Sequence, residues 1–381
     1  MFKKRLAVNV AFSVNGFIYA NWVSRLPRIQ EAYAANDRTI GIVLLCLSLG
    51  AVVAMPFAGW VIIRNGSRRI TLAAAVLYCL FVLLIPSFTH WLASIPLFLI
   101  MGAVTGIFDV AMNAQAVIVE RDYGKPIMTS FHAFFSVGMA LGAWCGAVFA
   151  GTEYSLNTHF ISVVVPGLFC TIWMFRHLVH DKPSKDSLPE GPLFRLPRAS
   201  LISVGIIAFC CMMGEGAMAD WTVNYMENVA GSGQFLAPLA LTGFAAAMTL
   251  GRIFGDRVRV ILGDRMCIVA GGVTASCGLA VVLGLPLPYV VIAGCFLVGL
   301  GLSTIVPITY SIAGNTKDIP SGVALAMVTT VGYTGFLAGP PVIGFIAEWQ
   351  TLRIALTLVG VLFLVMTWLG YDYRTRTTDN P

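Results

Sequence analysis

Three carboxylates lie inside long apolar stretches of this 381-residue chain. Glu215 and Asp220 fall in an apolar run from about residue 201 to 229, and Asp109 falls in another. A charged carboxylate near the centre of a bilayer costs roughly 2.5–3.5 kcal/mol on insertion scales. Because chains keep such groups where they face a cavity, a partner or a solute, the three acids predict a functional site within a membrane.

The first acid shares a helix face with an amide. Asp109 and Asn113 are four residues apart, which places both on one side of a helix. An acid on such a face can exchange a proton, and the alternative is a structural pair with a buried arginine or a backbone donor. Since no arginine is predicted in the core of a neighbouring apolar run, the sequence favours the proton-coupling role.

The other two acids are predicted to face different points. Glu215 and Asp220 are five residues apart, which is about 140° around a helix. We expect Glu215 near the mid-plane, as a protonatable or solute-binding group. We expect Asp220 near the outer end, paired with Arg25 or Arg28. Interhelical hydrogen bonds are the alternative for both acids.

The composition is typical of a membrane protein with many spans. Hydrophobic residues make up 58% of the chain and charged residues 11%, against about 25% charged in a soluble domain. The net charge of +6 is spread over loops and is not a nucleic-acid signal. The nine cysteines lack metal-ligand spacing, so we expect no metal and no cofactor. No Walker motif or nucleophile elbow stands out, which argues against ATP-driven transport and against an enzyme.

Apolar runs of about 20 residues, the length needed for one crossing, occur about twelve times. They lie near residues 6–24, 39–63, 70–88, 91–118, 128–151, 160–178, 199–228, 234–255, 266–285, 289–313, 321–346 and 352–371. A polar gap with four prolines lies at the midpoint. We predict an all-α polytopic protein with twelve helices in two six-helix halves, residues 1–178 and 199–381, joined by a cytoplasmic linker at 179–198.

Lysine and arginine residues predict the orientation. With the N-terminus inside, the inner segments hold 20 of the 24 basic residues and the outer segments hold four. Because positive charge in short loops favours the cytoplasmic side, both termini are predicted to be cytoplasmic.

Short matches indicate that the second half repeats the first. Residues 20–22 match 219–221, residues 64–68 match 261–265, and residues 136–138 match 330–332, in one order and at nearly one offset. Together they predict duplicated halves around a central cavity. Gly138, Gly142 and Gly146, spaced four apart, predict close helix packing and not a ligand site.

The loop GWVIIRNGSRR (59–69) resembles the G-x-x-x-D-R-x-G-R-R motif of the major facilitator superfamily, with Ile63 in place of the acid. The second half reads GRIFGDR (251–257) and then GDR (263–265), and it keeps its acids. The resemblance implies gating loops, and the alternative is a generic positively charged loop. The gating candidates are Gly59, Arg64, Gly66, Arg68, Gly255, Asp256 and Arg257, together with Arg25 at the outer end of the first span.

Four further stretches narrow this resemblance: FDVAMNAQAVIVER (108–121), PIMTSFHAFFSVG (126–138), EGAMADW (215–221) and GFLAGPPVIGFIAE (335–348). They look like a YbjJ-like branch of the superfamily, related to fucose permease, in the bacterial inner membrane. The resemblance implies alternating access around a mid-plane site. Asp109 and Asn113 match the acid-x-x-x-Asn pattern of fucose-permease-like proteins, where the acid is implicated in proton coupling. The second acid of that group, in the first span, has no counterpart here.

We therefore predict a proton-coupled secondary transporter of a small polar, sugar-like solute, monomeric in the bilayer and without nucleic-acid partners. The proton-coupling candidates are Asp109 and Glu215. The substrate-binding candidates are Asn15, Tyr19, Trp22, Asn113, Gln115, Asp220, Trp221, Asn224 and Tyr333. Interfacial anchoring is the alternative for Trp22 and Trp221.

Two other functions stay open from the sequence. A proton-antiport exporter of amphipathic or cell-wall-derived compounds predicts a broad cavity lined by methionine and aromatic residues, with one essential acid. A non-transporting membrane sensor predicts an appended soluble domain or a long tail.

Overall fold

The computed structural model describes residues 1–124, 127–181, 199–316 and 321–378. These described residues form helices and turns, with no strand among them. Apart from residues 179–181, the predicted linker lies outside the described residues.

Helices follow one another along the whole described chain. They are α1 (Phe2–Val23), α2 (Leu26–Ala32), α3 (Asp37–Asn65), α4 (Ser67–Leu84), α5 (Trp91–Tyr123), α6 (Met128–Ala150), α7 (Leu156–His177), α8 (Ala199–Asn228), α9 (Ala237–Gly284), α10 (Pro288–Leu302), α11 (Ile305–Gly314), α12 (Ser321–Trp349) and α13 (Leu352–Thr378). In the described part of the chain, eleven helical segments are long and apolar enough to cross a membrane. The short helix α2 was not predicted, because its seven residues carry no long apolar run.

Helix α9 is a hairpin of two helical arms. Its backbone is non-helical at Gly263, with φ 76° and ψ 164°, a region that glycine adopts without strain. The contacting pairs are Phe244 with Gly299 and Gly255 with Thr304 in the first arm, and Gly271 with Gly301 and Gly278 with Gly294 in the second. The first arm therefore runs parallel to α10, and the second runs antiparallel to it. The chain reverses direction at Gly263.

The helices run between two ends of the molecule. We call them the α2 end, where α2 lies, and the Gly66 end, where α3 turns into α4. Arg5, near the start of the chain, contacts Tyr123 at the end of α5. Arg265, next to the α9 bend, donates to the carbonyl oxygen of Tyr371. Since consecutive helices alternate in direction, both contacts lie at the Gly66 end, together with both ends of the described chain.

We call α1–α7 the N-terminal half and α8–α13 the C-terminal half. Within the N-terminal half, the predicted glycine row packs α6 against α1. A Cβ atom at Gly138 would lie 2.1 Å from the carbonyl oxygen of Ser13, and one at Gly142 would lie 2.4 Å from that of Phe17. Helices in lipid gain no hydrophobic free energy by associating, so they depend on close van der Waals packing. Small residues allow the two helix backbones to come that close. The predicted packing role of this row is confirmed.

The halves meet mainly along two helix pairs, α3 with α12 and α6 with α9. Toward the α2 end of the first pair, a Cβ atom at Gly41 would lie 2.9 Å from the carbonyl oxygen of Pro340. Likewise, one at Gly344 would lie 2.6 Å from the carbonyl oxygen of Asp37. The two backbones touch there, which closes this seam at the α2 end.

We expect Gly138→Ala to lower the melting temperature of the detergent-purified protein, because the new methyl group overlaps the α1 backbone. Overpacking of this kind costs about 1–3 kcal/mol. The control is Gly284→Ala, where a Cβ atom meets nothing within 4 Å. Equal melting temperatures for the two variants would contradict the packing role.

Candidate functional site

A cavity of about 250 Å³ lies between the two halves. Helices α1, α3, α4, α5 and α6 line it from the N-terminal half, and α8 and α12 line it from the C-terminal half. All three acids singled out from the sequence reach this cavity. The other walls are mixed: they include the polar side chains of Asn15, Ser48 and Thr105 and the apolar side chains of Met55, Met139, Phe135 and Phe336.

Asp109 of α5 contacts the C-terminal half through a tyrosine. The hydroxyl of Tyr333 in α12 donates to Asp109 Oδ2 at 3.3 Å. Asn113 Nδ2, one turn along α5, donates to the Asp109 carbonyl oxygen at 2.9 Å and to Oδ1 at 3.3 Å. Within the described residues, no lysine or arginine lies within 4 Å of this carboxylate. Its donors among these residues, Tyr333 and Asn113, are therefore neutral, and its negative charge has no cationic partner there.

Asp220 of α8 contacts the N-terminal half in the same way. The hydroxyl of Tyr19 in α1 donates to Asp220 Oδ1 at 2.6 Å. The predicted pairing of Asp220 with Arg25 or Arg28 is wrong, because neither arginine forms an ion pair with it in the described part of the chain. Asp220 is 8% exposed, so its carboxylate lies in the interior and borders the cavity.

Glu215 of α8 is matched by an arginine that the sequence analysis assigned to a loop. Arg252 lies inside the first arm of α9, and its Nη2 is 3.3 Å from Glu215 Oε1. The same guanidinium donates to Ser136 Oγ at 2.5 Å and to the carbonyl oxygen of His132 at 3.3 Å, both in α6. Arg252 thus links Glu215 to the opposite half, and its side chain is only 10% exposed.

The prediction that Glu215 and Asp220 face different points is also wrong, because both reach one cavity. Although the two side chains leave α8 in different directions, both border the same cavity. The cavity extends along α8, whose Gly216 and Ala219 lie between the acids and leave room beside the helix.

Several predicted substrate-binding residues lie outside the cavity. Trp22 is fully buried and donates from Nε1 to the hydroxyl of Tyr78 at 3.2 Å. Gln115 is fully buried and bonds Ser67 and the backbone of Val179 near the Gly66 end. Their roles in this structure are interhelical hydrogen bonds, which stabilise the N-terminal half.

Three other candidates also lie outside the cavity lining. Trp221 is fully buried, with its ring against Gly344. Asn224 donates from Nδ2 to Gln30 Oε1 at the α2 end. Asn113 donates to the backbone and side chain of Asp109 and does not itself line the cavity. The predicted residues that do line the cavity are Asn15, Tyr19, Asp109, Glu215, Asp220 and Tyr333.

Polar contacts between the halves gather at the α2 end. Arg28 Nη2 lies 2.6 Å from Glu227 Oε2, so the acid that pairs with Arg28 is Glu227, two helical turns beyond Asp220. Asn36 Nδ2 donates to Glu348 Oε1 at 2.9 Å. With the Tyr19–Asp220 bond, these contacts close the cavity toward this end.

Arg25, the gating candidate at the α2 end, is 5% exposed. Its Nε and Nη1 atoms have no hydrogen-bond partner in the described part of the chain. Burial, and then the positive charge of Arg28, lower the pKa of Arg25. Arg25 is a buried charge near the seam between the halves, and it does not form the predicted latch.

The loop at the Gly66 end takes its missing acid from another segment. Gly66 turns the chain with φ +82°, and Asp181 accepts hydrogen bonds from the backbone N–H groups of Ser67 and Arg68 at the start of α4. Burial raises the pKa of Asp181, but hydrogen bonds from Ser67 and Arg68 outweigh burial, and the net pKa is lowered. Asp181 therefore brings a carboxylate to this loop, where the sequence has Ile63 in place of the acid of the motif.

The basic residues of that loop contact aromatic rings. The guanidinium carbon of Arg64 lies 3.9 Å from the ring centre of Trp60. Arg68 lies over the ring of Phe175, donates to the Phe175 carbonyl oxygen at 2.9 Å, and contacts His180. Gly59 lies within α3, where a Cβ atom would meet nothing within 4 Å, so no turn or close approach requires glycine there.

The ion pair of the corresponding loop in the C-terminal half does not include the gating candidates Asp256 and Arg257. Asp256 and Arg257 are exposed, whereas Arg259 bonds both oxygens of Asp264, with Nε 2.6 Å from Oδ1. Gly255 is needed for packing, because its Cβ atom would lie 2.4 Å from Thr304 Cγ2. The charged bridge of this loop spans the Gly263 bend.

Sequence reasoning missed Arg252 and most of the uncharged cavity wall. The signal for Arg252 was available, since it lies within the predicted apolar run 234–255 but was counted with the loop after it. For Met55, Met139, Phe135 and Phe336, no signal separates a cavity wall from an ordinary packed core. Their positions depend on how α3, α6 and α12 are rotated.

The fold and the cavity agree with the comparison of this chain with protein families. The family model described as Major Facilitator Superfamily matches residues 8–319, most of the chain. The chain belongs to the Major Facilitator Superfamily. An uncharacterised MFS-type transporter of Yersinia pestis is 35% identical over 366 residues, covering 95% of this chain and 94% of that one. Membrane protein MosC of Rhizobium meliloti is 34% identical over 379 residues, covering 98% and 91%.

Solved structures of the superfamily share the fold. A variant of the nucleoside transporter NupG superposes with a TM-score of 0.77 at 12% identity, covering 97% of this chain and 98% of that one. A bacterial homologue of the human lysosomal transporter Spinster superposes with a TM-score of 0.76 at 12% identity, covering 98% and 97%. The protein is therefore a polytopic MFS transporter and not an enzyme.

We expect Glu227→Gln to loosen the α2 end of this MFS transporter, because it removes the charge that holds Arg28 across the seam. Glu227 is 12% exposed, so loss of the pair costs about 1–3 kcal/mol of local closing free energy. Hydrogen–deuterium exchange of residues 24–36 should become faster.

The matched control is Glu31→Gln, since Glu31 pairs with the same Arg28 but is 61% exposed and lies on the same helix. We expect this change to alter exchange little. Equal effects of the two variants would mean that the link between the halves contributes nothing to closure.

We expect Asp181→Asn to destabilise the protein at neutral pH by about 0.5–2 kcal/mol, the usual range for a lost helix cap. The pKa of Asp181 is lowered in the folded protein. Its contribution is therefore present above the ordinary aspartate pKa of about 3.9 and is lost as pH falls through the lowered value. Thermal unfolding at pH 7 and near pH 3 should show a difference from the parent protein that shrinks in acid. A difference independent of pH would contradict the role of the charge.

Proposed function

We propose that the protein is a proton-coupled secondary transporter that moves a small organic solute by alternating access. The observation that carries this proposal is the cavity between the halves, where Asp109 and Asp220 have no cationic partner in the described part of the chain. Carboxylates placed in this way inside a membrane protein mark solute or proton pathways.

We propose twelve membrane spans, with both termini cytoplasmic, in a bacterial inner membrane. The 48 residues of α9 would measure about 72 Å as one straight helix, far beyond a hydrocarbon core of about 30 Å. The reversal at Gly263 supports two crossings. The distribution of lysine and arginine supports an external α2 end, and the bacterial relatives support the compartment.

We propose that the two halves, with their boundary in residues 179–198, rock about the cavity. The Arg28–Glu227, Asn36–Glu348 and Tyr19–Asp220 contacts support a state closed toward the outside. In the opposite state these contacts separate, while Arg64, Arg68 and the Arg259–Asp264 bridge act near the cytoplasmic gate. Related transporters alternate through this kind of motion of repeated halves.

Of the two proton-coupling candidates, Asp109 fits the role better. Neutralising Glu215 would leave the guanidinium of Arg252 buried without its counter-charge, which is costly in a low-dielectric interior. Neutralising Asp109 strands no cation, since its described donors are the neutral groups of Tyr333 and Asn113.

The cavity wall bears on the nature of the solute. Asn15, Ser48 and Thr105 support a polar, sugar-like solute, in keeping with the resemblance to the fucose-permease branch. Met55, Met139, Phe135 and Phe336 support the second candidate, an exporter of amphipathic compounds by proton antiport.

We expect proteoliposomes of the purified monomer to give transient currents on a solid-supported membrane when the right solute is added with a proton gradient. The solute panel contains neutral sugars, polyols, amino sugars and lipophilic amines. Asp109→Asn should keep solute exchange at a saturating solute concentration and lose accumulation against a gradient, because a fixed neutral group cannot carry the proton.

Asp122→Asn is the control, since Asp122 is an exposed acid whose partner is Lys4 at 3.6 Å. Full accumulation in Asp109→Asn would sink the coupling role. If neither the parent protein nor Asp122→Asn gives a solute-driven current with any member of the panel, the result would count against transport of these solutes.

A further inference from the structure

Two hydrogen bonds cross between the halves in opposite directions. Tyr19 of the N-terminal half donates to Asp220 of the C-terminal half at 2.6 Å. Tyr333 of the C-terminal half donates to Asp109 of the N-terminal half at 3.3 Å. Asp109 and Asp220 are therefore each held by a tyrosine from the other half, and all four side chains line the cavity.

We propose that the solute of this cavity carries a protonated amine, and that Asp109 and Asp220 bind it as counter-charges. This inference rests on the proposed transport function and names the chemical class of the solute. It differs from the sugar-like expectation in requiring a cationic nitrogen, which a neutral sugar lacks.

The charges around the cavity support a cation. Three carboxylates face the cavity, from Asp109, Glu215 and Asp220. Within the described residues the basic partner is Arg252, which is bonded to Glu215. Two formal negative charges are left with neutral partners. In a low-dielectric interior an unmatched charge is costly, and a bound cation removes that cost.

An ammonium group matches either carboxylate better than its tyrosine does. It offers three N–H donors and a full positive charge. The bonds from the tyrosine hydroxyls carry a charge on the acceptor side alone, whereas an ammonium group adds a full positive charge on the donor side and with it a direct Coulombic attraction to the carboxylate. The ammonium group therefore competes with the hydroxyls of Tyr19 and Tyr333 for the same oxygens.

Because each tyrosine belongs to the half opposite its carboxylate, binding of the amine also acts on the contact between the halves. An ammonium group that takes Asp220 releases Tyr19, which is one of the contacts near the α2 end. An ammonium group on Asp109 releases Tyr333 in the same way. Solute binding is thus linked to the separation of the halves. A ligand shifts such an equilibrium because its affinities for the two states differ.

The remaining wall describes the rest of the solute. Phe135 and Phe336 present ring faces or edges, and Met55 and Met139 present flexible apolar surface. Methionine adapts to irregular apolar shapes. A compact amine with a ring or aliphatic body would place its nitrogen at the carboxylates and its body against these side chains.

The test compares amines with neutral molecules of the same shape. The probes are phenethylamine against 2-phenylethanol, and glucosamine against glucose and N-acetylglucosamine. Purified protein in detergent is heated with each probe at neutral pH and millimolar concentration, since a ligand that binds the native state raises the melting temperature. We expect at least one amine to bind about tenfold or more tightly than its neutral counterpart, as expected for a charge-assisted bond.

Variants localise the effect. Asp109→Asn and Asp220→Asn should each weaken amine binding about tenfold or more and erase the preference over the neutral probe. Tyr19→Phe and Tyr333→Phe keep both carboxylates, so they should keep the preference. Asp122→Asn, an exposed acid away from the cavity, should bind as the parent protein does.

The comparison within the parent protein does not depend on whether any variant folds. Equal stabilisation by amine and alcohol would overturn the proposal, and so would the absence of stabilisation by every amine. Retained preference in both aspartate variants would overturn it as well. If a neutral sugar drives current in proteoliposomes while no amine binds, the amine assignment fails and transport stands. If amines bind at the two aspartates but no solute drives current, the site stands and transport fails.

Discussion

Glu215 and Arg252 form an ion pair at 3.3 Å inside the helical bundle, and the contacts of this pair position the side chains around it. The guanidinium of Arg252 also donates to Ser136 and to the backbone of His132, so this side chain of α9 contacts both α8 and α6. Removing one member of such a pair leaves a buried charge uncompensated, which is more costly than never having had the pair. The seam between α6 and α9 therefore keeps a fixed electrostatic contact, whereas Asp109 and Asp220 have neutral partners.

That contrast divides the cavity into two regions. Around Arg252 the charges balance, and its guanidinium bonds Glu215, Ser136 and the backbone of His132. Around Asp109 and Asp220 the donors are tyrosine hydroxyls from the opposite half, which a competing group can displace without stranding a cation. A transporter needs both kinds of region, because the halves must stay associated while the contents of the cavity exchange.

Much of the fold could be predicted from the sequence, because the hydropathy of each run depends on its own residues. The predicted runs lie within a few residues of the observed helical segments, with two kinds of exception. Some helices have longer ends, such as α5, which extends to Tyr123, and the run 289–313 is divided between α10 and α11. The three acids were also found from the sequence, since a carboxylate in an apolar run stands out without any knowledge of neighbours. The short helix α2 escaped prediction because it has no such local signature.

The candidate site was predicted less well, for a physical reason. Trp22 and Gln115 looked like ligand-binding groups because both are polar or aromatic within apolar runs. Their partners, Tyr78 for the first and Ser67 and Val179 for the second, lie on other segments that the sequence does not bring together. The same holds for Arg28, whose partner Glu227 lies 199 positions away. Which polar group is satisfied by a neighbour and which faces the cavity depends on helix rotation, and no local pattern records that.

Asp181 shows where the N-terminal half ends as a physical unit. Helix α7 ends at His177, but the carboxylate four residues later caps the first turn of α4, and Val179 bonds Gln115 of α5. A polypeptide cut directly after α7 would leave these backbone and amide groups without their partners. If the two halves were produced separately and mixed, the first would have to extend through Asp181 to assemble intact. The start of the connection between the halves, through Asp181, thus belongs to the N-terminal half.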